Sequence, residues 1–346
     1  MRIGIPTEVK LAEKRVALTP EACARLVQEG HQVFLQKGAG EGAGFENDTY
    51  TAVGVEIKED AKNLYDAAEL IVKVKEPLDG DLEYLRKDHI LFCYLHLAAE
   101  PNLVERLKQI GLTAISFETV VVDGKTPLLA PMSAIAGRLA TQIGTWFLHS
   151  PRGGRGVLIG GIEGFHAGNV TVVGAGVAGS EAARLAYNMG ATVTMLDINT
   201  QRLQELKNEM PELVTVPSTE ESILAVAKNT DIMVGAVYVI GQRAPVIITE
   251  EHVKVMPKGS VLVDISIDQG GCCATSRPCT HLEPTYVEHN VIHSAITNLP
   301  AAAPRTASEA LSMAITPYVQ QIVNEDWSTP LIEGVNVEGG ELKIEL

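Results

Sequence analysis

Short apolar strands that alternate with helical patterns run through almost the whole of this 346-residue sequence. Such alternation is typical of βαβ units, in which parallel strands are joined by right-handed crossovers through helices. The strands fall into two groups along the chain. We therefore predict an α/β fold with two doubly wound parallel-sheet domains and an active-site cleft between them.

The first group of predicted strands belongs to the N-terminal third of the chain. Its members are Arg2–Pro6, His31–Gln36, Glu69–Val74, His89–Leu95 and Leu112–Phe117. The helix between the first two strands is well marked, since Thr19 can cap it, Pro20 suits its first position and Gly30 can end it.

A second group of six strands is predicted after residue 168. Its members are Val170–Val173, Thr192–Leu196, Leu213–Val216, Asp231–Ala236, Ser260–Ser266 and Asn290–Ala295. Six strands is the number in a complete dinucleotide-binding Rossmann fold. Long helical patterns at Ser133–Leu148 and Thr306–Asn324 are expected to carry the chain out of the first domain and back into it. We predict a discontinuous substrate domain of residues 1–127 and 305–346, and a Rossmann domain of residues 128–304.

A glycine-rich turn joins the first two strands of the second group. Gly174 permits the turn, Gly176 lets the backbone approach a pyrophosphate, and Gly179 lets the following helix pack on the strand. Asp197 ends the next strand, where a carboxylate accepts hydrogen bonds from a ribose diol and repels a 2′-phosphate. The segment therefore predicts an NAD site, and the alternative is a turn whose glycines serve packing alone.

Glycine is also frequent at residues 38–44, but this segment lacks the nucleotide-binding spacing and has an acid in the turn. It precedes no clear helical pattern. We expect a flexible loop near the cleft.

The net charge of −15 and the pI near 5.1 argue against a nucleic acid or an anionic membrane as partner. No apolar run reaches membrane-spanning length, and the first residues lack the apolar core of a signal peptide. We expect a cytoplasmic protein.

Five cysteines without a C-x-x-C pair fit the reduced thiols of such a compartment. Three of them, Cys272, Cys273 and Cys279, lie near His281, His289 and His293. Because no pair has the close spacing of zinc ligands, we predict no metal site.

Several segments resemble the alanine dehydrogenase and pyridine nucleotide transhydrogenase family. They are GIPTE at 4–8, EKRVALTP at 13–20, KVKEP at 73–77, LHLAA at 95–99, APMS at 130–133 and DISIDQGGC at 264–272. The resemblance implies an NAD-dependent oxidoreductase of the alanine dehydrogenase type, which converts L-alanine reversibly to pyruvate and ammonia. It also implies a homo-oligomer, either a hexamer or a dimer.

The resemblance implies that Arg15 and Lys75 bind the substrate, while His96 and Asp268 handle protons at the reacting carbon. The chemistry of these groups agrees with those roles. A guanidinium can bind a carboxylate through two hydrogen bonds, and an imidazole exchanges protons near neutral pH, as deamination requires. Asp268 follows a predicted strand and can orient His96 or the attacking water. The alternatives are a structural histidine and ordinary surface charges.

Further residues around NAD are implied by the resemblance. They are Ser133, Arg202, Ser218, Val237, Tyr238, Ile265, Ser266, Ile267, Asp268, Arg277, Ile296, Thr297, Asn298 and Leu299. Arg202 also fits a solvated helix face. The sequence departs from the family pattern at Ala134, Ile240 and Ala301 and has a short C-terminus after Trp327, which bears on loops and assembly more than on chemistry.

Three other functions stay open. One is the soluble NAD-binding component of a proton-translocating transhydrogenase, which normally lacks the pair His96 and Lys75. Another is an amine-forming dehydrogenase with a larger substrate, such as those that make saccharopine. The third is a non-catalytic NAD-binding module, against which the intact set of Arg15, Lys75, His96 and Asp268 argues.

Overall fold

The computed structural model describes residues 1–239 and 243–345, so Ile240 lies outside the described residues. The strands are β1 (Arg2–Ile5), β2 (Gln32–Gln36), β3 (Glu56–Lys58), β4 (Leu70–Val72), β5 (Ile90–Cys93), β6 (Thr113–Ser116), β7 (Asn169–Val173), β8 (Thr192–Asp197), β9 (Val214–Pro217), β10 (Ile232–Gly235), β11 (Val261–Asp264), β12 (Tyr286–Glu288), β13 (Val291–Ser294), β14 (Val335–Glu338) and β15 (Glu341–Leu342). The helices are α1 (Pro20–Gln28), α2 (Asn47–Thr51), α3 (Ala61–Ala67), α4 (Asp79–Leu82), α5 (Pro101–Ile110), α6 (Ala130–Leu148), α7 (Val177–Asn188), α8 (Thr200–Glu209), α9 (Glu220–Ala227), α10 (Glu250–Lys254), α11 (Pro304–Val323) and α12 (Thr329–Glu333).

Residues Met1–Met132 and Ala303–Leu346 form one compact unit around an eight-stranded sheet of order β15-β14-β6-β5-β4-β1-β2-β3. Strands β1 to β6 pair in parallel, and β14 and β15 add an antiparallel edge. The direction in which successive strands are added reverses between β1 and β4. Ligands of open α/β sheets bind in the crevice at the carboxyl ends of strands where this reversal occurs.

Residues Ser133–Ala302 form the other unit, whose sheet has the order β12-β13-β11-β10-β7-β8-β9. All neighbouring strands pair in parallel except β12, which is antiparallel to β13. Without β12 this is the strand order of the Rossmann fold, with its reversal between β7 and β10. The α/β class predicted from the sequence is confirmed. The division into a substrate domain and a nucleotide domain stays a prediction.

Central strands of both sheets are almost wholly apolar and buried. Every residue of β10, β11 and β13 is buried, as is usual where helices cover both faces of a parallel sheet. Helix α1 buries Ala22, Cys23 and Leu26. Its predicted cap differs in detail: Thr19 occupies the capping position, but its hydroxyl lies 3.2 Å from that of Ser312 and makes no capping hydrogen bond.

Edge strands are the main features that the sequence analysis missed. Strands β3, β12 and β15 lie at sheet edges, are two or three residues long and carry exposed charge, so they lack the apolar run by which strands are recognised. The four-residue strand β14, next to β15, is buried except at Glu338 and is too short to give such a run. The glycine-rich segment 38–44 also differs from expectation, because residues Glu41–Ala43 form a 3-10 helix and α2 begins soon afterwards. Gly42 packs tightly there, since a Cβ atom would lie 2.9 Å from Cβ of Lys14.

Across the described ranges, every helix falls short of the length or the apolar character that a membrane-spanning segment needs.

Candidate active site

A group of charged side chains lies at the carboxyl ends of neighbouring strands in the first unit. Arg15 is in the loop after β1, Lys75 follows β4, His96 follows β5 and Glu118 follows β6. These four strands are adjacent in the sheet and parallel, so the residues after them meet at one edge.

Lys75 and His96 are in direct contact. The Nζ atom of Lys75 lies 2.9 Å from Nε2 of His96, and it also lies 3.3 Å from Oε2 of Glu76. The donor and acceptor roles in this contact depend on the histidine tautomer. Because a lysine ammonium only donates hydrogen bonds, a charged Lys75 requires Nε2 to be the acceptor, in an imidazole that is neutral and has its proton on Nδ1. The pair therefore combines a cation with an unprotonated base.

The backbone and ring of His96 are held from several directions. Its φ of 50° and ψ of 37° are left-handed, a conformation uncommon for residues other than glycine. The carboxylate of Glu118 accepts the backbone N–H groups of His96 and Leu95 and places one oxygen 3.6 Å from Nδ1. The imidazole also stacks on the ring of Tyr94, with 5.8 Å between centroids. These contacts orient Nε2 toward Lys75.

Arg15 is 2% exposed and is paired with Glu13, a residue that the sequence analysis gave no role. Its Nε and Nη2 atoms donate to the two Glu13 carboxylate oxygens at 2.7 and 2.5 Å, while Nη1 lies 3.2 Å from Sδ of Met132. Burial disfavours the charged guanidinium, but the hydrogen bond and negative charge of Glu13 outweigh it and raise the pKa of Arg15. The site therefore holds a permanent buried cation.

Glu76 was also missed, although it lies in the KVKEP segment. One of its oxygens accepts a hydrogen bond from Nζ of Lys10, and the other faces Lys75. Burial favours the protonated acid, but the positive charge of Lys75, with smaller contributions from His96 and Lys10, lowers the pKa of Glu76 to about 2. This carboxylate is ionised at neutral pH.

A buried network supports the segment after β4. The Glu8 carboxylate accepts the backbone N–H groups of Val74 at 2.6 Å and Lys75 at 3.3 Å. Nζ of Lys73 lies 3.4 Å from Glu8 and 2.7 Å from Asp81. Burial raises the pKa of Glu8, and the Lys73 ammonium opposes that rise. Glu8, together with Lys73, thereby fixes the backbone of Lys75. The sequence analysis gave neither residue a role.

In the second unit, the glycine turn between β7 and α7 has the form expected of a phosphate-binding site. Gly174 has a φ of 105°, and a Cβ atom there would overlap the carbonyl oxygen of Ala236. A Cβ atom at Gly179 would overlap the carbonyl oxygen of Gly174. Gly176, which immediately precedes α7, has open space on its Cβ side, so a ligand can approach the helix N-terminus there.

Asp197 lies at this same turn. Its carboxylate accepts hydrogen bonds from the backbone N–H groups of Ala175 at 2.5 Å and Asn199 at 2.7 Å. The Arg202 guanidinium also reaches the turn, where Nη2 donates to the hydroxyl of Ser180 at 3.1 Å. Ser218 follows β9, and its N–H donates to the carbonyl of Asp197 at 2.9 Å. The predicted residues Asp197, Arg202 and Ser218 are therefore neighbours.

A further group of predicted residues meets at the carboxyl ends of β10, β11 and β13. The Ser266 hydroxyl donates to the carbonyl of Val237 at 2.8 Å and accepts its N–H at 3.0 Å. The Asp268 carboxylate accepts the N–H of Asn298 at 3.1 Å. The predicted NAD contacts Val237, Ser266, Asp268 and Asn298 are thus joined in pairs.

The remaining predicted residues of this unit occupy varied environments. Ile267, Ile296 and Leu299 are buried, Ser133, Ile265 and Thr297 are half-buried, and Tyr238 and Asp268 are exposed. Arg277 lies over the ring of Tyr286, with 4.0 Å between its Cζ atom and the centroid.

The cysteines near residue 275 have structural contacts within their own unit. Cys272 donates to Asp264 at 3.4 Å, and Cys273 lies 3.2 Å from the Thr275 hydroxyl, which in turn contacts His293 at 2.8 Å. Burial raises the pKa of both the Cys272 and the Cys273 thiol, which keeps them protonated.

Two α/β units with the same strand reversal, one with a glycine turn before a helix and the other with a partly buried lysine–histidine pair, define a two-domain protein of the Rossmann-type α/β class. The family models "Alanine dehydrogenase/PNT, N-terminal domain" and "Alanine dehydrogenase/PNT, C-terminal domain" match residues 4–136 and 140–344. The chain belongs to the alanine dehydrogenase/PNT family.

Relatives and solved structures agree with this membership. The chain is 45% identical to the alanine dehydrogenase of Bacillus subtilis over all of this chain and 93% of that protein. A solved L-alanine dehydrogenase matches with a TM-score of 0.95 and 42% identity, covering 99% of this chain and 97% of the other. A transhydrogenase from Sinorhizobium meliloti matches with a TM-score of 0.85 at 20% identity over 99% of both chains, which shows a shared fold.

Proposed function

We propose that this chain catalyses the reversible NAD-dependent oxidative deamination of L-alanine to pyruvate and ammonia. The names of its relatives support this reaction. The observation that carries the proposal is the 2.9 Å contact between Lys75 and His96 at the strand ends where Arg15 also lies. We assign substrate binding to the first unit and NAD binding to the second.

The first unit has the groups that a small 2-oxo acid requires. Arg15 is charged and buried, so it suits the substrate carboxylate. Lys75 can donate to the carbonyl oxygen of pyruvate, and doing so releases Nε2 of His96 from their mutual hydrogen bond. His96 then accepts and returns the protons that move when water adds to the substrate carbon and ammonia leaves.

The second unit fits a dinucleotide because Gly176 leaves space before α7 and Asp197 is an acceptor at the same turn. When bound, NAD accepts the hydride released from the α-carbon of alanine. Gly174, Gly176 and Gly179 shape the turn that would bind the pyrophosphate. The carboxylate of Asp197 would accept hydrogen bonds from the ribose hydroxyls. Val237, Ser266 and the segment 296–299 lie at the carboxyl ends of β10, β11 and β13 and would hold the rest of the cofactor.

We also propose a cytoplasmic location and a homo-oligomer. Five free and buried cysteines support a reducing compartment. Leu158, Ile162 and Phe165 of the second unit are exposed, which favours their burial against another copy of the chain. The molar mass in solution, measured by light scattering, tests the assembly.

The decisive assay is NADH formation by the purified chain in the presence of NAD and L-alanine, together with NADH consumption in the presence of pyruvate and ammonium. We expect turnover in both directions and none when alanine or ammonium is omitted. A transhydrogenase component or a non-catalytic module would bind NAD without alanine-dependent turnover. That result would contradict the proposal.

A further inference from the structure

Lys10 and Glu76 extend the pair Lys75 and His96 into a row of four titratable groups. Glu76 gives one carboxylate oxygen to each lysine: Oε1 accepts from Lys10, and Oε2 lies 3.3 Å from Nζ of Lys75. Nζ of Lys75 continues the row to Nε2 of His96 at 2.9 Å. The charges alternate along the row as positive, negative and positive, and the row ends on a neutral imidazole.

The middle of this row is shielded from water, whereas its outer end is not. The side chains of Glu76 and Lys75 are 6% and 7% exposed, and that of Lys10 is 35% exposed. Charges act more strongly on one another where water and salt cannot screen them. Glu76 therefore affects Lys75 strongly, and Lys10 acts on the pair more weakly and with the opposite sign.

Other charged or titratable groups face the pair from the elements around it. They are Glu118 after β6, Tyr94 against the imidazole, and Glu8 with Lys73 at the backbone of Lys75. Glu118 lies 3.6 Å from Nδ1 of His96 and so favours a proton on Nδ1, the nitrogen that is protonated when Nε2 accepts from Lys75. Among these groups, Glu76 is the carboxylate that contacts the Lys75 ammonium.

We propose that Glu76 is a positioning residue whose carboxylate stabilises a positive charge on the Lys75–His96 pair and places that charge on Lys75. The inference rests on the proposed function, which gives Lys75 the substrate oxygen and His96 the protons. A carboxylate beside the ammonium favours its charged form, and the ammonium then donates to Nε2 and holds His96 as a neutral base. The low pKa of Glu76, about 2, agrees with a carboxylate that stays ionised in this role.

The proposal predicts opposite effects for two variants. Glu76→Gln keeps the shape of the side chain but removes the negative charge, so the alkaline limb of the pH profile of kcat/KM for pyruvate should move to lower pH by about one unit or more. Lys10→Met leaves Glu76 charged and removes the opposing cation, so the same limb should move to higher pH by a smaller amount. Above its new limb, Glu76→Gln should show a raised KM for pyruvate while the KM for NADH stays unchanged.

The measurement is the pH–rate profile of wild type, Glu76→Gln and Lys10→Met in the pyruvate direction, with thermal unfolding as a check on folding. Equal losses of activity at every pH, or shifts of both variants in one direction, would overturn the proposal. Because Lys10 is partly exposed, Lys10→Met should fold even if Glu76→Gln does not. It then still tests the direction in which the alkaline limb moves. If the wild type is active and the pH–rate profiles of both variants match its profile, the role of Glu76 is excluded and the proposed function stands. If the wild type is inactive, both this role and the proposed function are excluded.

Discussion

The Nζ atom of Lys75 and the Nε2 atom of His96 are 2.9 Å apart, although 21 positions separate the two residues in the sequence. They meet because β4 and β5 are parallel neighbours and each residue follows the carboxyl end of its strand. An ammonium beside a neutral imidazole supplies an electrophilic donor and a base in one contact. Replacement of either side chain should therefore impair the proposed reaction.

We expect His96→Ala to lower turnover of alanine and pyruvate by about 10²- to 10⁴-fold, because the imidazole is the proposed proton carrier. NAD affinity should stay near the wild-type value, since the glycine turn belongs to the other unit. Steady-state kinetics and NADH fluorescence titration measure the two effects. The exposed His166, replaced by Ala, is the matched control. Activity above a tenth of wild type in His96→Ala would exclude the role.

Replacing Lys75 or Arg15 by Met should raise the KM for pyruvate, lower kcat or do both, while NAD affinity changes little. The exposed Lys62, replaced by Met, is the control for loss of a surface charge. Equal losses of affinity for NAD and pyruvate would instead indicate a misfolded protein or a structural charge.

The Arg15 variant needs a further control because its partner Glu13 is buried. Without the guanidinium, an unpaired carboxylate stays in the interior at a cost of about 3–5 kcal/mol. We expect Glu13→Gln in the Arg15→Met background to recover stability but not pyruvate affinity. Thermal unfolding and pyruvate kinetics of the double variant separate the two effects.

The sequence predicted the parts of the fold whose signals are local. The strand before Gly174, the glycine spacing and Asp197 follow one another within a single βαβ unit, so periodicity and motif were sufficient to find them. Long-range pairings were not predictable in this way. Strand β14, which lies between β6 and β15, pairs with β6 from some two hundred residues earlier in the chain and has only four residues to signal it.

The missed site residues are carboxylates whose roles depend on pairing. Glu13 lies two residues before Arg15, and Glu76 lies directly after Lys75, so the sequence places them nearby without indicating that they form buried ion pairs. Glu118 is found only through the sheet order that brings β6 beside β5. A carboxylate at a strand end is exposed more often than not, and only tertiary structure distinguishes the exceptions.

Two alanine substitutions in the glycine turn should have different consequences. Gly179→Ala should lower both the unfolding temperature and NAD affinity, because its methyl group overlaps the carbonyl of Gly174. Gly176 has a φ of −65° and open space around it, so Gly176→Ala should fold normally and yet bind NAD about tenfold more weakly, as the methyl group occupies the space of the pyrophosphate. Thermal unfolding and NADH titration distinguish them. Undiminished NAD binding by Gly176→Ala would place the cofactor elsewhere.

Glu76 should also contribute to the acid limit of stability. Its pKa falls from an ordinary 4.5 to about 2 in the folded protein, so the folded state binds this proton more weakly than the unfolded state. The ionised Glu76 carboxylate therefore contributes roughly 3 kcal/mol to the free energy of unfolding. This contribution is fully present above the pKa of Glu76 in the unfolded state, and it is lost as the pH falls through the pKa in the folded state. The gap in unfolding free energy between wild type and Glu76→Gln should therefore narrow as the solution is acidified. Denaturant unfolding at a series of pH values tests this, and a gap that is constant with pH would contradict it.

The choice of cofactor should depend on Asp197. This carboxylate ends β8 beside the glycine turn, where it can accept the ribose hydroxyls of NAD and repel the 2′-phosphate of NADP. Because it also accepts the N–H groups of Ala175 and Asn199, Asp197→Ala removes a support of the turn together with the charge. Asp197→Asn keeps an acceptor of the same shape and is the matched control.

We expect both Asp197 variants to bind NAD more weakly. Both should also raise the ratio of kcat/KM for NADP to that for NAD, because they remove the repulsion between the carboxylate and the 2′-phosphate. Asp197→Ala should lower the unfolding temperature more than Asp197→Asn. Adding Ile198→Arg, at the exposed position next along the chain, should raise the ratio further because a guanidinium pairs with a phosphate. The measurement is the ratio in wild type and in each variant. A wild type that already uses both cofactors, or a ratio that neither variant moves, would mean that Asp197 does not face the ribose and serves only to close the turn.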